Sequence, residues 1–178
     1  MKIDLGGIKM KKIKYNQLAE EALDAIADGG AFLTVKTEED VNTMTIGWGS
    51  ISYMWGQPVF IAMVRDSRYT YDLIETTNQF TVSIPFGDAM KEELTFCGTK
   101  SGRDYDKFTE CDLDVTAAEN VKSPLVNGCD LHYECQLKFK QEMDPDNLDP
   151  ALDEQWYSSD EGYHTLYFGK IVASYQEE

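Results

Sequence analysis

Arginine is scarce in this chain, and its spacing points to anion binding. Of the three arginines, Arg65 and Arg68 flank Asp66-Ser67, and Arg103 ends the loop Lys100-Ser101-Gly102-Arg103. The first two lie where a buried strand gives way to a helix, and hydroxyl and N–H donors accompany them. Guanidinium groups and a helix N-terminus are the donors that bind a phosphate. The candidate ligands are Arg65, Ser67, Arg68, Tyr69 and Thr70. Surface pairing of these arginines with the many carboxylates is the alternative.

Other site types find little support in the sequence. No GxGxxG follows a first strand and no GxxxxGK[ST] occurs, so neither dinucleotide nor P-loop motifs are present. The four cysteines form no CxxC pair, which nearly excludes a structural zinc site and predicts reduced core thiols in a cytoplasmic protein. They are Cys97, Cys111, Cys129 and Cys135.

The two histidines are expected to lie in different environments. His132 lies on the polar face of an alternating strand and is expected to be exposed to solvent. His164 opens the last strand after an acidic segment, where it can face a cleft, although an ordinary strand-end histidine is the alternative. No serine or cysteine nucleophile lies at a known spacing from either histidine.

The net charge and the length of the chain limit which classes of function and architecture are compatible with the sequence. The 16 basic and 32 acidic residues give a net charge of −16, which repels nucleic acid and anionic membranes. No apolar stretch reaches the roughly 18–20 residues of a membrane span, and no secretory signal is recognisable. With 178 residues, 42% of them apolar, the chain fits a single domain, 1–178.

Periodicity predicts a few short helices. The first helix covers 16–28, capped by Asn16 and ended by Gly29-Gly30. A second covers 68–77. A third is capped by Asp88 and closed by Gly98, and a polar loop over 99–108 follows it.

Strands make up most of the remaining chain. They are predicted over 31–35, 42–48, 51–55, 59–64, 80–84, 129–139 and 165–175. The apolar positions change parity around Gly49-Ser50, which indicates a bend that exposes backbone groups. In the segment from Cys129 to Phe139, apolar residues alternate with polar ones, which predicts one buried face and one solvent-exposed face. The last strand is apolar on both faces, as expected for a strand that packs against another subunit. These features predict a mainly β fold, an antiparallel barrel with a few short helices.

An acidic segment interrupts the pattern before the last strand. Residues 144–161 contain seven acidic residues, no basic residue and two prolines. Such a composition predicts an exposed, solvated insertion. A calcium loop is the alternative, but the EF-hand spacing and its central glycine are absent.

Four blocks, in order, resemble the flavin reductase-like, FMN-binding split-barrel family that includes flavoredoxins. They are Asn42–Ser50 (NTMTIGWGS), Arg65–Ile74 (RDSRYTYDLI), Cys97–Arg103 (CGTKSGR) with Asp106-Lys107-Phe108, and His164–Val172 (HTLYFGKIV). The third is similar to the family loop CG..SG...DKF, and the last to the ending H-x-x-x-x-G-x-V. The blocks span most of the chain.

The resemblance implies a six-stranded antiparallel Greek-key split barrel that forms a homodimer and binds FMN. By resemblance, Thr45, Ile46, Gly47, Trp48, Gly49 and Ser50 line the flavin ring. Arg65, Ser67, Arg68, Tyr69 and Thr70 hold the phosphate, and Ser101, Gly102 and Lys107 close over the cofactor. His164, the candidate catalytic residue, would lie near the nicotinamide or another electron donor.

The implied activity is that of an oxidoreductase that passes a hydride from NAD(P)H to the flavin. The flavin carries the chemistry and the protein orients it, so no general base is required. The alternative is an FMN-holding electron-transfer protein without NAD(P)H activity of its own, because the acidic insertion would repel the phosphates of a dinucleotide.

Overall fold

Eleven strands and five α-helices form over the part of the chain that the computed structural model describes, residues 2–5, 8–159 and 161–178. The strands are β1 (Lys2–Leu5), β2 (Ile8–Lys12), β3 (Ala31–Lys36), β4 (Val41–Ile46), β5 (Gly49–Met54), β6 (Gln57–Arg65), β7 (Gln79–Ile84), β8 (Val115–Thr116), β9 (Leu125–Val126), β10 (Leu131–Glu142) and β11 (His164–Glu177). The helices are α1 (Ala19–Asp28), α2 (Tyr69–Thr76), α3 (Lys91–Thr99), α4 (Lys107–Glu110) and α5 (Pro150–Trp156), with a 3₁₀ turn over Pro145–Asn147.

The main sheet is antiparallel and closes into a ring. Its neighbours run β5, β6, β11, β10, β7, β3 and β4, while the β1–β2 hairpin pairs with the end of β11. Because β4 and β5 are two parts of one segment, broken at Gly47-Trp48, the ring counts six strands. The predicted six-stranded antiparallel split barrel is confirmed.

The barrel interior is filled by alternate side chains of the ring strands. Leu33, Val82 and Tyr133 are fully buried and stand in register on β3, β7 and β10. Gly169 in β11 leaves room for the Phe80 ring, since a Cβ there would lie 2.5 Å from the Phe80 Cζ atom. The glycine therefore admits an aromatic ring where any larger residue would overpack the core.

Several local boundaries differ from the predictions, among them α4, which begins inside the predicted loop over 99–108, and β10, which runs to Glu142. α1 begins at Ala19 rather than Asn16, because Asn16 lies in the turn closed by the Gln17 N–H and the Lys14 carbonyl. α3 begins after Met90 and contains Gly98, while Asp88 pairs with the Lys91 side chain instead of capping the helix. The strand break falls two residues before the predicted bend.

The prediction of a solvent-exposed face on β10 is wrong for His132 and Glu134, which are both fully buried. The chain around β8 and β9 covers this face. The Glu134 carboxylate accepts bonds from the backbone N–H groups of Glu119 (2.9 Å) and Asn120 (2.6 Å). His132 contacts Ser83 Oγ at 3.0 Å and is not exposed as expected. Polar residues on this face thus anchor a loop that only the folded chain brings there.

Candidate functional site

A cleft with two connected parts opens beside the break between β4 and β5. The wide part has a volume of about 270 Å³ and the narrow part about 90 Å³. Both parts share Met44, Arg68 and Gly98 as lining residues, so they form one continuous site. The wide part is also lined by Thr45, Ile46, Gly47, Trp48, Met63, Arg65, Trp156 and His164. The narrow part is also lined by Asn42, Ser67, Tyr69, Thr70, Cys97, Thr99, Lys100, Ser101, Gly102 and Lys107.

The narrow part lies at the N-terminus of α2. Arg68 is the N-cap residue in an extended conformation, and no side chain caps the helix. The first N–H groups of a helix have no partner within it, so they are suited to an anion. Ser67, Arg68, Tyr69 and Thr70, which the sequence suggested as phosphate ligands, all line this part.

Lys107 is the most informative residue of the narrow part. The residue is only 3% exposed, and its ammonium donates a 2.8 Å hydrogen bond to the Cys97 carbonyl. This is the one hydrogen bond that the ammonium makes to the described residues, although it carries three donors. Burial lowers the pKa of Lys107. A buried cation with unused donors indicates a place for an anion.

Gly102 allows the loop after α3 to close over the narrow part. A Cβ at this position would lie 2.2 Å from Asn42 Oδ1 and 2.8 Å from Tyr69 Cδ1. The Asn42 amide in turn donates to Thr70 Oγ1 at 2.8 Å. Asn42 is a lining residue that the sequence analysis missed as a ligand candidate; its signal is an amide at a buried strand position.

The wide part is built around the strand break. Gly47 has no atom within 4 Å of where a Cβ would stand, so the backbone is open on that side. Trp48 contacts the rings of His164 (centroids 5.2 Å apart) and Trp156 (5.1 Å). Four of the six residues predicted to line the flavin ring do line this part of the cleft: Thr45, Ile46, Gly47 and Trp48. The other two, Gly49 and Ser50, begin β5 and are not among its lining residues.

The three arginines have different partners, although Arg103 also donates to the Ser67 carbonyl at 3.1 Å and lies 5.4 Å from the centre of the Tyr69 ring. Arg65 lines the wide part, but its guanidinium donates to the carbonyls of Trp156 (2.8 Å) and Gly162 (2.9 Å). Arg103 pairs with Asp72 at 2.6 Å, and neither part of the cleft includes it among its lining residues. Arg68 is therefore the arginine that lines both parts.

Residues 144–163, here called the strap, connect β10 to β11 and fold back over the cleft. The backbone N–H of Met143 donates to the His164 carbonyl (3.0 Å), so the two ends of the strap meet. Ser67 Oγ donates to the Glu161 carbonyl at 2.9 Å, and the Glu161 carboxylate pairs with Arg68 at 3.2 Å. The strap carries the predicted acidic insertion.

The strap is more ordered than the prediction of a solvated insertion implied. Most of its acidic side chains are exposed, as expected, while Asp160 lies outside the described residues. Trp156 and Tyr157 of the strap contact the cleft residues Trp48 and His164, and the sequence analysis missed both. Two aromatic residues in an otherwise acidic stretch were the available signal, because solvated segments rarely carry them.

His164 is held neutral in this environment. Burial and the positive charges of Arg65 and Arg68 lower the pKa of His164 to about 4. Its Nδ1 atom lies 2.8 Å from the Tyr157 hydroxyl. At neutral pH the imidazole is therefore an uncharged hydrogen-bonding group at the wall of the wide part.

Residues 2–5, 8–159 and 161–178 contain no group of three or more His, Cys, Asp or Glu side chains placed to hold a metal ion. Within the same ranges no helix has the length and apolar character needed to cross a membrane.

Comparison with known proteins relates the whole barrel to one family. The model of the flavin reductase like domain matches residues 23–178. An FMN-binding domain of a flavin reductases-like enzyme from Shewanella baltica superposes with a TM-score of 0.66 at 16% identity, covering 98% of this chain and 79% of that one. Flavoredoxin of Desulfovibrio vulgaris gives 0.65 at 23% identity, with 84% and 69% covered. The NADH:FAD oxidoreductase of Streptomyces globisporus gives 0.65 at 17%, with 84% and 78% covered.

Proposed function

Because the chain belongs to the flavin reductase-like family, we propose that its cleft binds FMN and that the protein is an oxidoreductase passing a hydride from NAD(P)H to the flavin. Among the structural neighbours are an FMN-binding domain and an NADH:FAD oxidoreductase. The observation that carries the proposal is Lys107, a buried ammonium with unused donors in the narrow part of the cleft.

The two parts of the cleft fit the two ends of FMN. The narrow part offers Arg68, Lys107, hydroxyl groups and the uncapped start of α2, which suit a phosphate. The wide part offers backbone groups at Gly47 and the aromatic walls of Trp48 and Trp156, which suit a planar ring system. The proposed phosphate ligands are Arg68, Ser67, Tyr69, Thr70, Ser101, Gly102 and Lys107.

Bound FMN supplies the redox chemistry by accepting a hydride and passing electrons on. The residues of the chain orient the ring and exclude water from it. Trp48 and Trp156 flank the wide part, and Thr45 is fixed by donating its hydroxyl to the Leu94 carbonyl at 2.5 Å. Arg65 keeps the strap in place by binding two of its carbonyls. Positioning of this kind supplies the catalytic contribution of the protein.

An electron-transfer protein without NAD(P)H activity is the second candidate function. The strap favours it, because Trp156 lines the wide part and the exposed acids of the strap repel the phosphates of a dinucleotide. A flavoredoxin is among the structural neighbours.

Anaerobic mixing of the FMN-loaded protein with NADH or NADPH separates the two functions. If the protein is a reductase, we expect the visible absorbance of the oxidised flavin to be lost within seconds with at least one nucleotide. Dithionite serves as the control that the bound flavin can be reduced. Full reduction by dithionite with none by either nucleotide would favour the electron carrier, and a protein that binds no FMN would contradict both.

We also propose that the protein forms a homodimer through the outer face of β6 and β11. Ile61 stands opposite Phe168, and Met63 opposite Leu166, on a half-buried apolar face. Trp55, which is 60% exposed, lies 6.0 Å from the Phe168 ring. Contiguous apolar surface of this kind marks association sites. Light scattering should give about twice the chain mass of 20.2 kDa, and a monomer mass would contradict the proposal.

The state of the four cysteines is relevant to the cellular compartment of the protein. All four are free thiols, and Cys97, Cys129 and Cys135 are buried. Proteins that keep several thiols unpaired suit a reducing compartment. This supports a cytoplasmic location as part of the proposal. Detection of the native protein in an oxidising compartment would contradict it.

A further inference from the structure

Tyr157 of the strap makes a direct polar contact with His164. The phenol oxygen lies 2.8 Å from Nδ1, and the two rings are nearly perpendicular with centroids 5.6 Å apart. His164 lines the wide part of the cleft, whereas Tyr157 is not among its lining residues. Tyr157 can therefore act on a bound ligand through the two lining residues that it contacts, His164 and Arg65, and of these His164 is its hydrogen-bond partner.

The chemistry of the two groups favours the Tyr157 hydroxyl as the donor in this hydrogen bond. His164 is neutral at neutral pH, because burial, Arg65 and Arg68 lower its pKa to about 4. Burial raises the pKa of Tyr157, so the phenol keeps its proton. A phenol is a good donor and an imidazole nitrogen a good acceptor, which favours O–H to Nδ1 over the reverse. The ring proton of His164 then resides on Nε2, which has no hydrogen-bond partner among residues 2–5, 8–159 and 161–178.

Several contacts hold the Tyr157 ring in one orientation. It stacks on Tyr163 with centroids 4.9 Å apart and an interplanar angle of 13°. The Arg65 guanidinium lies 4.9 Å from the centre of its ring. Tyr163 is itself fixed by donating its hydroxyl to Asp153 at 2.7 Å. The strap thus presents the phenol to His164 from a supported position.

We propose that Tyr157 is a positioning residue that fixes His164 as its Nε2–H tautomer, so that the imidazole donates a hydrogen bond to a ligand in the wide part. The matching ligand feature is an acceptor, a carbonyl oxygen or an unprotonated ring nitrogen. In this state His164 offers the cleft no basic nitrogen, since Nδ1 is occupied by the phenol. The role in flavin chemistry rests on the proposed function, but the tautomer does not.

The tautomer can be read from the protein without flavin. The chain has two histidines, so a long-range ¹H–¹⁵N spectrum contains two ring systems, and His132 serves as an internal reference. We expect His164 to be Nε2–H in the parent protein. In Tyr157→Phe we expect a mixture of tautomers and a rise of the His164 pKa from about 4, because a bond to the neutral form is lost.

Tyr53→Phe is the matched control, since it also removes one tyrosine hydroxyl, but from an exposed bond to the Gly56 carbonyl outside the strap and the cleft. Its His164 should keep the Nε2–H tautomer. An Nδ1–H tautomer in the parent protein, or an unchanged tautomer and pKa in Tyr157→Phe, would overturn the proposal.

A second readout connects the tautomer to the ligand. With FMN bound, Tyr157→Phe should reduce the rate of flavin reduction about fivefold to tenfold, the size of one hydrogen bond, while the Kd for FMN stays within about threefold. If the tautomer changes but no variant binds FMN, the proposed function fails and the positioning role stands. A changed tautomer with an unchanged rate would overturn the catalytic part.

Discussion

Replacing Arg68 with alanine is expected to weaken FMN binding by about 1.5–3 kcal/mol, which raises the Kd roughly 10- to 150-fold. Arg68 lines both parts of the cleft and stands as the N-cap residue of α2. Its present partner is the Glu161 carboxylate at 3.2 Å, in a pair whose side chains are 37% and 53% exposed. Exposed pairs of this kind contribute little, so a phosphate can replace the carboxylate. Quenching of flavin fluorescence during titration measures the Kd.

Two controls separate a phosphate contact from a general loss of charge. Lys122→Ala removes one positive charge from an exposed pair with Glu38, and it should leave the Kd unchanged. Riboflavin lacks the phosphate, so its affinity should change little in Arg68→Ala. Equal losses for FMN and riboflavin would show that Arg68 does not bind the phosphate, and an unchanged Kd for FMN would place the phosphate elsewhere.

The barrel strands were predictable because their pattern is local. Phe80, Val82 and Ile84 alternate with polar residues over the length of β7, and Pro85 follows where the strand ends. The parity change in the segment from Asn42 to Trp55 likewise predicts an interruption, because successive strand side chains point to opposite faces. The break lies at Gly47-Trp48, within two residues of the predicted place.

What covers each face was not predictable from the same pattern. His132 and Glu134 occupy the polar positions of an alternating strand, yet both are fully buried. The Glu134 carboxylate is satisfied by two backbone N–H groups of a segment about 15 residues earlier in the chain. Alternation identifies two faces of a strand, but the segment that packs against a face is set by tertiary structure.

The grouping of the candidate site residues was predictable where they are adjacent in the sequence. Ser67, Arg68, Tyr69 and Thr70 are adjacent in sequence and form the start of α2, so their proximity follows from the helix itself. Arg65 lies only three residues away, but its donors bind carbonyls of the strap. Its partners lie more than 90 residues later, beyond the reach of any local pattern.

Replacing Lys107 in the narrow part of the cleft should affect the stability of the protein and its affinity for FMN differently. In Lys107→Met the free energy of unfolding of the flavin-free protein should stay within about 1 kcal/mol of the parent value, or rise. Methionine is similar to lysine in shape but carries no charge. Removing the desolvated charge stabilises the folded protein, and this offsets the loss of the 2.8 Å bond from Lys107 to the Cys97 carbonyl. FMN binding should nevertheless weaken by about 1.5–3 kcal/mol, because the phosphate loses a charged donor.

Urea unfolding of the flavin-free protein and the FMN titration measure the two quantities separately, with Lys91→Met as the control. Lys91 is exposed, pairs with Asp88 and lies outside the cleft, so its replacement should change neither quantity. A large loss of stability with FMN affinity retained would make Lys107 a structural residue. Because Arg68 and Lys107 would share one phosphate, the double variant should lose less affinity than the sum of the two single losses. Additive losses would mean that the two cations act on separate groups, and the assignment of the narrow part to the phosphate would then fail.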